Sequence, residues 1–175
     1  MPNTTMKIAN IVATVTLSST LDLSYIHSRL PQTEFPGKSP WLKMRLPPDN
    51  TYIAFYKSGK FLITTKNAEN IPHIADRIIS ILNDIDIREK IQDITIHNIV
   101  VVDSIPLNTT LETLIATLDP GKSEYEPEQF PALVYKDWGV SFLLFSSGKV
   151  VVTGLKDFKD AELVITNLKN VIKAK

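Results

Sequence analysis

At 175 residues, 43% hydrophobic and free of cysteine, the chain has the composition of a folded domain and cannot form a disulfide, a thiol nucleophile or a zinc–thiolate site. Nineteen basic residues balance nineteen acidic ones, and because nucleic-acid binders are usually basic, charge alone argues mildly against that class. No run reaches the roughly 18 apolar residues of a membrane helix, and Met1-Pro2-Asn3-Thr4-Thr5 has neither the basic nor the apolar part of a secretory leader, so an intracellular protein is expected.

Residues 8–17 alternate as a strand, with Asn10, Val12 and Thr14 on one side and Ile11, Ala13 and Val15 on the other. Leu23, Ile26, His27 and Leu30 stand at helical spacing and predict a short helix over 21–30, followed by a proline-rich loop over 31–40. An extended segment at 41–46 turns through Pro47-Pro48-Asp49-Asn50 into a hairpin over 52–65, with Ser58-Gly59-Lys60 at its tip. Asn67 is placed to cap a long helix whose stripe is Ile71, Ile74, Ile78, Ile81, Leu82 and Ile85, with Pro72 tolerated in its first turn.

A charged connector over 86–93 leads to a replay of the same order. Strand 94–103, short helix 111–118, loop 119–130, strand 133–136 and a turn at Asp137-Trp138-Gly139 precede a hairpin whose tip is Ser146-Ser147-Gly148-Lys149. Asp157 then caps a last helix carrying Ala161, Val164, Leu168, Val171 and Ile172. Ser147-Gly148-Lys149 lies 89 residues after Ser58-Gly59-Lys60, and Asn98-Ile99-Val100 lies 88 after Asn10-Ile11-Val12. Two landmarks in one order at nearly one offset predict an internal duplication, with repeats over 1–90 and 91–175. Neither repeat shows βαβ alternation, so the expected class is α+β, a mostly antiparallel sheet with helices on one face.

The second hairpin is apolar on both faces: Phe142 and Leu144 oppose Leu143 and Phe145. Helices cover one side, and something else must cover the other. By parity the uncovered side carries Asn10, Val12, Thr14, Leu62 and Thr64, then Asn98, Val100, Val102, Leu143, Val151 and Thr153, with Arg45, Lys60, Lys136 and Lys149 around it. An apolar surface with amide donors and a basic rim suits the DNA minor groove, whose floor presents adenine N3 and thymine O2 acceptors. A dimer interface or a second packed sheet would explain the same pattern.

Several segments resemble the TATA-box-binding protein family: I-A-N-I-V-A-T-V-T-L at 8–17 with L-D-L at 21–23, E-Y-E-P-E-Q-F-P-A-L-V-Y-K at 124–136, and F-S-S-G-K-V-V-V-T-G at 145–154. The resemblance covers 8–172, includes the duplication and is nearest the archaeal type. It implies a two-repeat saddle with one curved antiparallel sheet and helices on the convex face. It also implies a general transcription initiation factor that binds and bends the minor groove of A·T-rich promoter elements, this family being a standing example of minor-groove binding by apolar wedges. Double-stranded DNA, transcription factor B and the RNA polymerase machinery are the partners implied, without a cofactor and without a membrane. The location would be cytoplasmic in an archaeal cell and nuclear in a eukaryote.

Carried over by position, Asn10 and Asn98 match the family's base-edge donors. Val12, Leu62, Thr64, Val100, Leu143, Val151 and Thr153 match its apolar and hydroxyl groove contacts. Phe130 and Phe145 match its wedge pair, and Arg45, Lys60, Lys136 and Lys149 its cations near phosphates. Glu126, Glu128 and Gln129 match the loop that meets transcription factor B. The first repeat departs from the pattern: Tyr56 stands at one wedge position, Ala54 replaces the counterpart of Leu143, and the other wedge falls near Ser39, with Phe35 or Trp41 as substitutes. His27, His73 and His97 lack metal-ligand spacing, and Ser-Gly-Lys lacks the upstream glycine of a phosphate loop, so no enzymatic machinery is expected. The alternative function is a regulatory or interaction module that keeps this fold without productive DNA binding.

Overall fold

The computed structural model describes residues 6–173; the amino-terminal residues read above for a leader lie outside that range. Two compact units are present, one spanning Asn10–His97 and the other built mainly from Asn98 onward. The first holds β1 (Lys7–Leu17) from Asn10, α1 (Leu23–Arg29), β2 (Leu42–Leu46), β3 (Thr51–Tyr56), β4 (Lys60–Thr65) and α2 (Ile71–Asp84). Its strands lie in the order β2-β3-β4-β1, each pair antiparallel.

Strict alternation sets which face is buried. In β1, Ile11, Ala13, Val15 and Leu17 are buried, while Asn10, Val12, Thr14 and Thr16 between them are half-exposed. Phe61 and Ile63 of β4 and Ile53 and Phe55 of β3 share the buried side. The α2 stripe of Ile71, Ile74, Ala75, Ile78 and Leu82 is buried with them. Truncating a fully buried Ile78 or Leu82 to alanine would cost about 2–5 kcal/mol, the transfer of the lost methyls plus the cavity left behind.

The second unit contains β5 (Ile91–Ser104) from Asn98, α3 (Leu111–Ile115), β6 (Ser123–Glu124), β7 (Leu133–Asp137), β8 (Val140–Leu144), β9 (Lys149–Leu155) and α4 (Ala161–Lys173). The strand order is β5-β9-β8-β7-β6, again antiparallel at each pair. Ile99, Val101, Phe142, Leu144, Val150 and Val152 are buried, as is the α4 stripe of Ala161, Val164, Ile165 and Leu168. The opposite sides of β8 and β9 are half-exposed, as the two-faced apolar pattern of the hairpin predicts.

Element boundaries differ from expectation where capping chemistry decides them. The Asp22 carboxylate accepts the Tyr25 N–H and starts α1 at Leu23, later than residue 21. Asn67 does cap, but it caps a 3-10 turn over Ala68–Asn70 that runs on into α2, and Asp157 does the same before α4. Ile85 falls just beyond α2. The segment expected to be a connector already enters β5 at Ile91, and the loop over 119–130 contains the short edge strand β6. The polar pair Ser123-Glu124 is a strand because it pairs with Tyr135 and Val134, not by its own side chains.

Both hairpin tips require glycine. Gly59 and Gly148 have φ of +93° and +90°, and a methyl built at either would run into a backbone carbonyl, that of Ser19 or of Ile105. Each tip therefore packs directly on the chain leaving the first strand of its unit. Gly59 also accepts the Leu17 N–H at 2.8 Å, as Gly148 accepts that of Ile105 at 2.8 Å.

Candidate nucleic-acid interface

Register brings the half-exposed residues into rows. In the first unit, Arg45, Tyr52, Thr64 and Val12 lie side by side across β2, β3, β4 and β1, and Lys43, Ala54, Leu62 and Thr14 form the next row. In the second unit, Val134, Leu143, Val151 and Val102 align across β7, β8, β9 and β5, beside a row of Lys136, Ser141 and Thr153. None of these positions carries a carboxylate; Glu34, bridged to Lys43, and Glu124, paired with Val134, stand at the outer ends of two of the rows. The surfaces are apolar and hydroxyl-bearing, with cations toward the outer strands and tips. The structure adds Tyr52, Thr16, Val134 and Ser141 to the face read from sequence; their alternation within short strands was the available signal. Ala54 is 1% exposed, because its methyl lies between the larger Tyr52 and Tyr56 on the same side.

Aromatic rings sit in pairs at one end of each face. Phe130 and Phe145 meet edge-on with centroids 6.3 Å apart, and Phe130 is 43% exposed. The Lys149 ammonium lies 5.7 Å from the Phe145 ring. In the first unit Tyr56 is paired with Trp41 at 6.4 Å. Trp41, not Ser39, is thus the second ring of that pair. Ser39 instead donates its N–H to the Pro36 carbonyl in a tight turn, and Phe35 packs against His27 at 5.3 Å. The signal was present: 41 and 56 are separated by 15 positions, as are 130 and 145. Burial, with Tyr52 nearby, pushes the Tyr56 hydroxyl above the ordinary tyrosine range and keeps it a neutral O–H.

The cations are arranged to reach outward. The Arg45 guanidinium stacks at 4.9 Å over the Tyr52 ring, while Lys60, Lys136 and Lys149 are exposed. Lys43 is paired with Glu34 at 3.4 Å and is less available. Asn10 and Asn98 are half-exposed on the first strands of their units, as is Val100. The Asn98 carboxamide oxygen accepts the Gly154 N–H at 2.7 Å.

Glu126, Glu128 and Gln129 are all exposed on the loop between β6 and β7. That loop is shaped by the Glu126 carbonyl, which accepts the N–H groups of Gln129 and Phe130 at 2.9 Å each. Tyr125 anchors it by donating its hydroxyl to Glu112 at 3.1 Å. Lys122 meets Asp137 at 2.9 Å, and the Lys122 hydrogen bond, aided by the Trp138 N–H, lowers the Asp137 carboxyl below its usual range. Among the described residues no group of three His, Asp or Glu side chains could hold a metal ion, and no helix is long and apolar enough to cross a membrane. His27 shares a hydrogen bond with Thr33 at 3.1 Å.

Antiparallel strands with helices on one face, and on the other an apolar, hydroxyl-bearing surface edged by cations, define a protein of α+β class with an open strand face in each unit. The sequence profile described as "Transcription factor TFIID (or TATA-binding protein, TBP)" matches twice, over residues 5–85 and 93–174. The chain belongs to the TATA-box-binding protein family. It is 39% identical over 168 residues to the TATA-box-binding protein of Picrophilus torridus, covering 93% of this chain and 91% of that one. With that of Pyrobaculum calidifontis it shares 35% over 172 residues, 95% of this chain and 85% of the other. The solved structure of Methanococcus jannaschii TBP matches with a TM-score of 0.83 at 31% identity, over 99% of this chain and 100% of that one. The fold is that of the family, as the resemblance implied. The family consists of DNA-binding transcription factors and not of enzymes, and membership supports the role of a general transcription initiation factor.

Proposed function

We propose that the chain binds the minor groove of A·T-rich duplex DNA through the half-exposed strand faces, bends it, and recruits transcription factor B and, through it, RNA polymerase. The observation that carries the reading is the absence of carboxylates from the aligned rows between β2 and β1 and between β7 and β5, with an asparagine on the first strand of each unit. Amide N–H groups match adenine N3 and thymine O2, and the guanine 2-amino group would meet them donor to donor. Val12, Leu62, Val100, Leu143 and Val151 supply apolar contact with the groove floor, and Thr64 and Thr153 add hydroxyls. In this reading the ring pairs enter opened base steps, an unstacking cost of a few kcal/mol per step that the larger contact with bent DNA offsets. Arg45, Lys60, Lys136 and Lys149 meet phosphates and set register without reading sequence. The exposed acids Glu126 and Glu128, with Gln129, face a basic surface of transcription factor B.

Gel-shift titrations with three duplexes test this: A·T-rich, G·C-rich, and the A·T-rich sequence with inosine·cytosine pairs in place of A·T. Inosine·cytosine keeps the minor-groove acceptors and lacks the 2-amino group, while its major groove resembles that of G·C. Comparable binding to the first and third duplexes, with weak binding to the second, is expected. Equal binding to all three, or to none, would instead support an interaction module on this fold.

A further inference from the structure

The two asparagines are held differently, and the difference lies in the backbone. In the first unit the β1–β4 ladder is unbroken from Ile11↔Thr65 to Thr16↔Lys60. In the second, Ile99 pairs with Leu155 but Val101 pairs with Val152, so Val100 alone opposes both Thr153 and Gly154. β9 thus carries one extra residue, a bulge with Gly154 at φ +94°, a conformation that side-chain-bearing residues rarely adopt. A bulge frees an N–H from the ladder, and this one is donated to the Asn98 carboxamide oxygen at 2.7 Å. The residue 89 positions before Gly154 is Thr65, which takes part in the regular ladder. Among the described residues no equivalent bond holds Asn10.

A carboxamide presents either a donor or an acceptor, depending on a half-turn about its last bond. Free to turn, it can give its N–H to adenine N3 or thymine O2, or offer its oxygen to the guanine 2-amino group. Latched by an N–H donor, the amide is fixed in one sense, with its oxygen turned to that donor and its NH2 left to project. We infer that Gly154 is a positioning residue for sequence readout: its N–H fixes the Asn98 amide as a donor and makes Asn98, rather than Asn10, the stringent A·T-against-G·C discriminator. This rests on the minor-groove reading above, and the test separates the two.

Asn98→Asp keeps an oxygen for the Gly154 N–H but replaces the projecting donor by an acceptor, whereas Asn98→Ala removes both. Asn10→Asp is the control for added charge, because charge penalises A·T and G·C duplexes alike and cancels in their ratio. Hydrogen exchange at the Gly154 amide, followed by NMR on the whole chain without DNA, should show protection in the natural sequence and in Asn98→Asp. In Asn98→Ala, exchange should be at least about tenfold faster, the loss of one hydrogen bond. The affinity ratio between A·T-rich and G·C-rich duplexes should fall about tenfold in Asn98→Asp and less than about threefold in Asn10→Asp. Unchanged exchange in Asn98→Ala, or equal shifts of the ratio from the two aspartates, would overturn the inference. A natural chain that binds neither duplex would defeat the DNA reading and the readout role with it, while the exchange measurement still decides whether the latch exists.

Discussion

Phe130 and Phe145 are hydrocarbon rings that can enter an opened base step without burying an unpaired polar group. Their counterparts Trp41 and Tyr56 each carry a polar handle, an indole N–H and a hydroxyl held protonated, that must find a partner or stay wet. The second pair should therefore bend DNA more strongly. Phe145→Ala should reduce affinity and bend angle more than Tyr56→Ala, read by fluorescence energy transfer across end-labelled duplexes; equal losses would rule out an asymmetric bend. Trp41→Ala should also lower the bend, whereas Ser39→Ala should leave it unchanged, because Trp41 supplies the ring. At the hairpin tip, Gly148→Ala forces a left-handed alanine at about 1–2 kcal/mol and adds a methyl against the Ile105 carbonyl. Thermal unfolding should drop by several degrees, and so should that of Gly59→Ala.

At the scale of elements, loops carry the remaining specificity. The β6–β7 loop is fixed by its own backbone turn and by Tyr125, so the side chains of Glu126 and Glu128 are free of structural duty. Reversing both to lysine should weaken the complex with transcription factor B while leaving binary DNA binding largely intact, and a gel-shift with and without that factor separates the two. A different loop ties the first unit to the chain that leaves it. The Glu89 carboxylate accepts the hydroxyls of Ser18 and Ser19, and the Ser19 N–H at 3.2 Å. Those two hydroxyl bonds lower its pKa. A carboxyl lowered in the folded state stabilises above its unfolded pKa, about 4.3, and loses that contribution as pH falls through the folded value. Glu89→Gln should therefore lower the unfolding temperature at pH 7, and the gap should close as pH falls through the lowered folded value. Exposure to solvent keeps the effect small.

For the whole molecule, charge is the governing quantity. Net charge is zero, and the strand faces and tips offer Arg45, Lys60, Lys136 and Lys149, with Lys43 tied to Glu34. About four released phosphate counterions give a slope near −4 in log affinity against log salt. A slope matching ten or more phosphates would mean that cations elsewhere on the chain join the interface. Apolar contact and hydroxyls then provide a larger share of the binding than in a strongly basic protein, which fits the composition of the rows.

Strand parity, the duplication and both capped helices were legible in the chain because they are written in short-range chemistry: alternation at period two, stripes at period 3.6, and an Asn or Asp before each long helix. Family membership was legible for the same reason, since the segments at 8–17, 124–136 and 145–154 are continuous. What escaped was decided by contact between distant segments. Which of Ser39, Phe35 and Trp41 joins Tyr56 was decided by the Trp41–Tyr56 contact, although the 15-residue spacing shared with Phe130 and Phe145 already pointed to Trp41. The commitment of the Asn98 amide depends on a bulge that exists only when β5 and β9 pair. The sequence by itself determined which residues face outward, since side-chain direction follows from backbone period; which of those residues are locked, and in which sense, was decided only by the tertiary pairing that leaves the Gly154 N–H without a ladder partner.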